Sequence, residues 1–349
     1  MSVSNVSSSY LASALLPAVR QAQAQLATLE VEASTGQYAD LGLQLGTQSG
    51  YELSLRTQDD LLLALTTANG ITDSNMATSQ SVLSSILSSA DDSASTLLTF
   101  ASGTVNSASL QAIGQSQLGQ LIDLANTTSA GGYVFAGTNS SVAPMTDYFS
   151  TPTSSAKSAI DSAFQTYFGF PVGAPQVANI TATQMQGYLS GPFAAQFQSP
   201  NWGSNWSTAA NANVSSEISP GYRVITSTST NTAGFQQLAQ GYAMLSEFAD
   251  MGLGAGAQQS LATAASNTLA KGATAIIQTQ AQLGAAQTQV TQANDNMTSQ
   301  MSLLQTQIGR TDSVDPAKIA TELTTLTTQL QTAYQLTAKI NSLSLAQYL

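Results

Sequence analysis

The sequence predicts a mainly α-helical protein: an elongated helical bundle built from both chain ends, with an inserted β-rich or mixed middle module. Apolar residues recur at four-then-three spacing from Leu15 to Ala33 and again from Leu269 to Leu349. This spacing places side chains along one stripe of an α-helix. Between Ser140 and Thr230 the stripe is absent, and seven of the nine prolines and both tryptophans lie there. The middle is therefore predicted to be a separate module.

The first helix carries an apolar stripe and is expected to end at Gly36. Ser9 or Ser13 can cap its start, and Pro17 fits only a first turn. The following segment, Asp40 to Gly50, contains three glycines and alternates apolar with polar residues, which predicts a loop or short hairpin. The stripe consists of Leu15, Val19, Ala22, Leu26, Leu29 and Ala33.

Two more helices are predicted before the middle module. The first runs from about Tyr51 to Ala101, and the second from about Ser107 to Thr128, after a break at Gly103. The stripe of the first is thin, because polar residues interrupt it. Its apolar members are Leu62, Leu65, Met76, Leu83, Ile86, Leu97 and Phe100.

The middle module begins with a β-prone run, Gly131 to Gly137, and its last predicted strand is Tyr222 to Thr226. A helical pattern returns from Phe235 to Phe248. The glycine-rich stretch Gly252 to Gly256 is predicted to be a joint, since it lacks the spacing and preceding strand of a phosphate-binding loop. Trp202 and Trp206 are expected to form a local aromatic core rather than a carbohydrate site.

The terminal helices carry the clearest pattern, an apolar residue every seven positions from Ile276 to Leu304 and a resumed stripe after a break at Gly309 to Pro316. Gln280, Gln287 and Asn294 stand where a second apolar column would run, so the seam is thin. A lone helix cannot cover such a stripe. Its partners are helices of this chain or of neighbouring copies, and both alternatives remain open.

For the outermost helices, we expect the stripes to contact other subunits and the extreme ends to become ordered on assembly. The predicted subunit-assembly interface comprises Leu15, Val19, Leu26, Leu29, Ile319, Leu323, Leu326, Leu330, Leu336, Ile340, Leu343 and Leu345.

Five regions follow from these patterns. Residues 1–50 form an N-terminal helix and loop for assembly, and residues 51–130 the N-terminal part of the helical core. Residues 131–230 form the inserted module. Residues 231–310 form the C-terminal part of the core, and residues 311–349 the C-terminal assembly helix.

Composition excludes several classes of function. The chain has no Cys and no His, which excludes disulfides, thiol catalysis and the commonest metal ligands. Eight basic residues stand against nineteen acidic ones, for a net charge of −11, which argues against nucleic-acid binding. The sequence contains no window of about eighteen apolar residues, so no membrane span is expected.

No catalytic, cofactor or metal site is predicted. A serine nucleophile needs an adjacent base, and Ser155-Ala156-Lys157 does not have the spacing of a Ser-x-x-Lys pair. In each of the pairs Asp59-Asp60 and Asp91-Asp92, the two adjacent side chains point about 100° apart on a helix. This favours solvated helix faces over metal ligation. We therefore expect a protein without enzymatic activity.

The segment Met1 to Tyr10 lacks the basic start and apolar core of a cleaved signal peptide. Taken alone, this favours a cytoplasmic protein. The sparse charge and the many small polar residues favour instead a secreted protein exported without a cleaved signal, whose surface is mostly buried against its own copies.

Three motifs in the correct order carry a family resemblance. The helix end Ala33-Ser34-Thr35-Gly36, the run Gly131 to Thr138 followed by Pro144, and the tail Leu336 to Leu349 resemble the flagellin and flagellar hook-associated protein superfamily. Within it, Leu41 to Arg56 and Trp202 to Ser207 are most similar to hook-associated protein type 3, the hook–filament junction protein, in an alphaproteobacterium-like form.

The resemblance implies a flagellin-like bundle and a structural subunit of the bacterial flagellum. Such proteins cross the flagellar type III export apparatus unfolded, and polymerise outside the cell through coiled-coil-like terminal helices. Implied partners are copies of this chain, hook-associated protein type 1, flagellin, and a cytoplasmic export chaperone at the C-terminal helix. A filament flagellin of the same fold and a surface adhesin with a ligand-binding middle module remain alternatives; the charge and aromatic pattern predict no glycan binding for this module.

Overall fold

The computed structural model describes the backbone of residues 8–101 and 106–346 and the side chains of residues 15–97 and 106–339. The fold is mainly helical, as predicted. In chain order the described elements are α1 Ser8–Thr35, α2 Leu41–Leu45, α3 Ser49–Ala101, α4 Ser107–Ala125, β1 Thr128–Ser129, β2 Gly132–Tyr133, α5 Ser155–Phe168, α6 Ala182–Tyr188, α7 Asn201–Asn205, β3 Ser215–Ser219, β4 Tyr222–Ile225, α8 Ala233–Phe248, α9 Ala255–Asp312 and α10 Pro316–Ala346.

The chain divides into two compact units. The first contains residues 1–63 and 298–349, and the second contains residues 64–297. The long helices α3 and α9 contribute residues to both. Within the described part, no helix is long and apolar enough to cross a lipid bilayer.

In the first unit, α1 and α10 run antiparallel and pack along each other. Gln23 on α1 donates from Nε2 to Tyr334 Oη on α10 (2.6 Å), and Gln37 after α1 bridges Ser313 before α10. The helix α1 continues through Pro17, so the prediction that this proline lies in a first turn is wrong. Proline removes one backbone donor from the helix, and Pro17 lies at an exposed position.

The segment Asp40 to Gly50 is helical, so the predicted loop or hairpin is wrong. The carboxylate of Asp40 caps α2 by accepting from the Leu43 backbone N–H (2.9 Å). Gly46, with φ of 53°, ends that turn, and a 3₁₀ turn over Gly46–Gln48 leads directly into α3. The cap supplies the partner that an isolated short helix lacks, a local effect that the glycine count concealed.

The break near the C-terminus is shorter than the sequence pattern indicated. The helix α9 passes through Gly309 and ends at Asp312. Asp315 then caps α10, because its Oδ1 accepts from the backbone N–H of Ala317 (2.9 Å) and Lys318 (3.3 Å). Pro316 stands at the first helical position, where its missing N–H costs nothing.

In the second unit, α3 and α9 form an antiparallel pair whose seam alternates apolar with polar layers. Gln80 Nε2 donates to the Gln280 carbonyl (2.8 Å), Gln287 Nε2 to Asp73 Oδ1 (3.3 Å) and Asn69 Nδ2 to Asn294 Oδ1 (2.8 Å). The polar column that made this seam look thin is therefore paired across it. The buried apolar layers contain Met76, Leu83, Ile276, Leu283 and Val290.

This pairing shows which helices cover the apolar seam of α9. The seam is covered within the chain rather than by a neighbouring copy: Gln280 to Asn294 face α3, and Ile276 packs against Gly234 of α8. Half-buried polar pairs hold α3 and α9 in one register, because any shift leaves polar groups unpaired.

Helices α4 and α8 pack closely because α4 carries a glycine at their contact. A Cβ at Gly114 would lie 2.5 Å from the Ser246 backbone nitrogen and 2.6 Å from the Leu245 Cβ. The helix α4 ends at Ala125, three residues before the predicted end at Thr128, because Thr128 enters the first hairpin.

The inserted module is mixed and largely helical rather than β-rich. Its strands form two antiparallel hairpins, β1–β2 and β3–β4. Of the β-prone run Gly131 to Gly137, only Gly132–Tyr133 forms a regular strand, whereas the strand predicted at Tyr222 to Thr226 is found as β4. The predicted aromatic core is confirmed: Trp202 and Trp206 are buried and stacked with ring centroids 5.8 Å apart.

Candidate assembly surface

The described stripe residues of α1 and α10 differ in how far the first unit covers them. Ile319 and Leu330 are buried, while Leu15, Val19, Leu26, Leu29, Leu323 and Leu326 are half-buried. Leu336 is 46% exposed. The side chains of Ile340, Leu343 and Leu345 lie outside the described residues. The stripes thus find partial cover within one chain, and their contact with other subunits remains a prediction.

Other exposed apolar side chains lie in the same unit and were not in the predicted interface. More than half of the large apolar side chains exposed in the described part belong to the first unit, although it contains the smaller share of the chain. Exposed apolar side chains concentrated in one unit favour a protein interaction site there. The additional residues are Leu16, Val31, Leu43, Tyr51, Leu53, Leu61, Leu63, Leu303 and Tyr334.

A signal in the sequence could have identified some of them. Leu16 follows the stripe residue Leu15, and Leu61 precedes the buried Leu62. Adjacent residues on a helix point about 100° apart. Consecutive leucines therefore give a helix a second apolar face, which a single heptad stripe does not account for.

A groove of about 550 Å³ opens between α1, α2 and α10. Its apolar lining comes from Leu29, Leu43 and Leu326, and its remaining lining is polar or acidic. Leu43 is 84% exposed, the highest value among the large apolar side chains of the described part. The short capped helix α2 thus holds a leucine beside the helix pair, where it has little cover from its own chain.

The turns that join the helices of the first unit are held by a buried polar cluster. The Arg56 guanidinium pairs with Glu52 and with Asp312, which is 1% exposed. The Asp312 carbonyl accepts from the Tyr38 N–H (3.0 Å), and Glu32 Oε1 accepts from the Ala39 N–H (3.1 Å). These contacts fix the turn after α1 against the turn before α10.

The electrostatics of this cluster depend on its one cation. The hydrogen bond that Arg56 donates to Glu52 raises the pKa of Arg56 above its ordinary value, burial opposes the rise, and the charges of Glu52 and Asp312 add to it. An arginine is charged at any physiological pH, so it holds the carboxylates by ion pairing. The cluster is a structural clamp.

This surface offers apolar side chains for association. Among the described residues, no group of three or more acidic side chains is arranged to hold a metal ion. The geometry instead offers leucine-rich helix faces and a groove, which associate by burying apolar area.

Two family models match the ends of the chain. The bacterial flagellin N-terminal helical region matches residues 6–140, and the bacterial flagellin C-terminal helical region matches residues 267–349. The chain belongs to the flagellin family. A search of curated protein sequences found no match.

Flagellin-family membership confirms the superfamily resemblance and gives the assembly surface its context. The N-terminal match covers α1 to β2, and the C-terminal match covers α10 and most of α9. The protein is a structural, non-enzymatic axial component of the extracellular flagellum, and the family implies polymerisation with other axial proteins. Most of the inserted module lies outside both matches.

Proposed function

We propose that this flagellin-family protein is the subunit of the hook–filament junction and that it assembles through its terminal helices after unfolded export. The concentration of exposed apolar side chains in the first unit carries the assembly part of the proposal. Burying one Leu or Ile side chain contributes roughly 1.5–3 kcal/mol. Burial of several such side chains on each subunit favours association of neighbouring copies.

The junction role rests on the resemblance of two segments to hook-associated protein type 3. The segment Leu41 to Arg56 contains Leu43 and also Glu52 and Arg56, two residues of the polar cluster. The segment Trp202 to Ser207 provides the tryptophan pair of the inserted module.

The proposed partners follow from the position at the junction. The subunit contacts copies of itself, hook-associated protein type 1 and flagellin. Before export, a cytoplasmic chaperone holds the C-terminal helix, where Tyr334 and Leu336 expose apolar surface.

Deletion of the gene tests the junction role. We expect the deletion strain to form hooks, to lack filaments and to release unpolymerised flagellin into the medium. Electron microscopy of the hooks and quantification of flagellin in the supernatant measure this outcome. Complementation with the intact gene, which should restore filaments, is the control.

A filament flagellin is the second candidate, since both matched regions carry the flagellin name. It makes the opposite prediction for the same strain. If this protein forms the filament, its deletion removes the most abundant band of sheared filaments, and no other flagellin accumulates in the medium.

A further inference from the structure

We propose that the inserted module carries a binding site for a neutral oligosaccharide, built around Tyr167 at the end of α5. An open pocket of about 440 Å³ lies here, within the usual size range of small-ligand sites. Aromatic rings and side-chain amides make up most of its lining, and none of the described residues that line it carries a charge. The six residues that carry the proposal are Tyr167, Phe168, Phe170, Gln176, Asn179 and Gln184.

The ring of Tyr167 is held in place by its aromatic neighbours. The Tyr167 ring is 43% exposed, yet it packs edge-on against Phe168 at 4.9 Å and tilted against Tyr188 at 5.6 Å. Its hydroxyl lies over Gly187, where an added Cβ would come within 2.8 Å of it. A supported ring loses little freedom when a ligand stacks on it. The ring face is electron-rich, which suits the polarised C–H groups of a sugar ring.

The amides supply the polar part. Gln184 Oε1 already accepts from the Thr181 N–H and hydroxyl, each at 3.0 Å, in the capping box of α6. Its amide nitrogen therefore remains a donor. The side chains of Gln176 and Asn179 make no hydrogen bond within the described part of the chain, and each offers a donor and an acceptor. Sugar hydroxyls need the same combination.

The chain folds locally so that these groups converge. Gly169 adopts the left-handed conformation that ends α5 (φ 81°). The chain then returns through the 3₁₀ turn Pro175–Asn179 to the start of α6. The aromatic residues and the amides that line this pocket are six to seventeen positions apart in the chain, which explains why the linear aromatic pattern did not predict it.

An oligosaccharide fits this pocket better than a protein surface does. Between residues 155 and 213 of the described chain, Tyr167 is the only large apolar side chain that is exposed. A docking protein buries about 800 Å² on each partner with an apolar centre. One exposed aromatic ring, with two further aromatic residues and three side-chain amides in the same lining, instead suits a small polar ligand.

Titration of the full-length protein with maltohexaose, cellohexaose and chitohexaose tests the proposal by isothermal calorimetry. We expect at least one of these neutral sugars to bind. Tyr167→Ala should weaken that binding by about tenfold or more, because it removes the stacking face. Tyr167→Phe should retain most of the affinity. Gln176→Ala and Asn179→Ala should each weaken it by several-fold.

Tyr222→Ala is the matched control, since Tyr222 is an exposed tyrosine of the same unit on the β3–β4 hairpin and should leave sugar binding unchanged. Near-ultraviolet circular dichroism verifies that each variant is folded. Binding by none of the three sugars, or binding that Tyr167→Ala leaves unchanged, overturns the proposal. The proposal is also overturned if the parent binds no sugar and the Tyr167→Ala variant fails to assemble. The pocket would then be a contact between copies.

This test is independent of the proposed junction role. A strain carrying Tyr167→Ala should form normal filaments even when sugar binding is lost. Failure of the junction proposal in the deletion strain would leave the sugar titrations unaffected.

Discussion

At the scale of single residues, buried tyrosines form the most distinctive chemistry of the second unit. Burial raises the pKa of Tyr148 and Tyr188 above the ordinary range, and nearby carboxylates, chiefly Glu247 for Tyr148, raise it further. Tyr148 donates to Glu247 Oε1 (2.9 Å), and Lys157 donates to the other oxygen of the same carboxylate (2.7 Å). These groups tie the inserted module to α8 through a buried, charge-assisted network.

Tyr242 gives a prediction for the effect of alkaline pH on stability. Burial raises the pKa of Tyr242 to about 12, whereas an unfolded tyrosine ionises near pH 10. Between these values the unfolded state binds fewer protons, so the free energy of unfolding falls as pH rises. Tyr242→Phe has no hydroxyl to ionise, so it does not suffer this loss. From about pH 8 to about pH 11, the free energy of unfolding of the variant should rise by about 1.4 kcal/mol relative to that of the parent.

Urea unfolding of the parent and the variant at both pH values, followed by near-ultraviolet circular dichroism, measures that difference. The pair at about pH 8 is the control for any packing effect of the lost hydroxyl. An equal offset between the two proteins at both pH values would contradict the prediction.

At the scale of elements, close helix contacts depend on glycines at particular positions. Besides Gly114 on α4, Gly241 on α8 allows the Leu269 side chain of α9 to approach, since a Cβ at Gly241 would lie 2.6 Å from Leu269 Cδ2. The helix α8 therefore packs closely against both neighbours. Side-chain pattern alone does not reveal this, because a glycine contributes nothing to an apolar stripe.

Gly114→Ala tests the α4–α8 contact. Its Cβ would collide with backbone atoms, which cannot move as a flexible side chain can. Overpacking of this kind costs about 1–3 kcal/mol, more than the helix propensity that alanine gains. We expect a net destabilisation of about 1–2 kcal/mol in urea unfolding.

Gly119→Ala on the same helix is the matched control. A Cβ at Gly119 meets no atom within 4 Å, so this substitution should stabilise the protein by up to about 1 kcal/mol. Equal effects of the two substitutions would show that backbone propensity, not helix contact, determines the outcome at Gly114.

At the scale of the whole molecule, the two units differ in where their apolar side chains lie. The second unit has a large buried core that includes the aromatic cluster around Phe164, Tyr188 and Phe248. The first unit leaves many leucines exposed. Assembly of copies is therefore expected to stabilise the first unit more than the second, because only the first has much apolar surface left to bury.

Replacing two exposed leucines of α3, Leu53 and Leu61, by glutamine tests this difference. Both are exposed in the single chain, so the free energy of unfolding should change by less than about 0.5 kcal/mol. Assembly, measured by light scattering and electron microscopy, should be strongly reduced. Ile277→Gln, at an exposed position of the second unit, is the matched control and should assemble normally. Unimpaired assembly of the double leucine variant would refute the proposed surface.

The helical class, the long helices α3 and α9, the strand β4 and the aromatic core of the tryptophans were all predictable before the structure. Each depends on periodicity or composition within one segment. The flagellin resemblance rested likewise on local motifs. The capped helix α2 and the uninterrupted passage of α1 through Pro17 were not predicted, since a single side-chain bond or an exposed position outweighed the usual propensity.

Only the tertiary structure decided which surfaces are paired. Asn69, Asp73 and Gln80 lie two hundred or more residues from the amides that they contact, and no local pattern specifies such a register. The exposed leucines of the first unit and the pocket at Tyr167 likewise depend on which helix faces remain uncovered. The physical reason is that burial is a property of neighbours in space, whereas periodicity is a property of one helix.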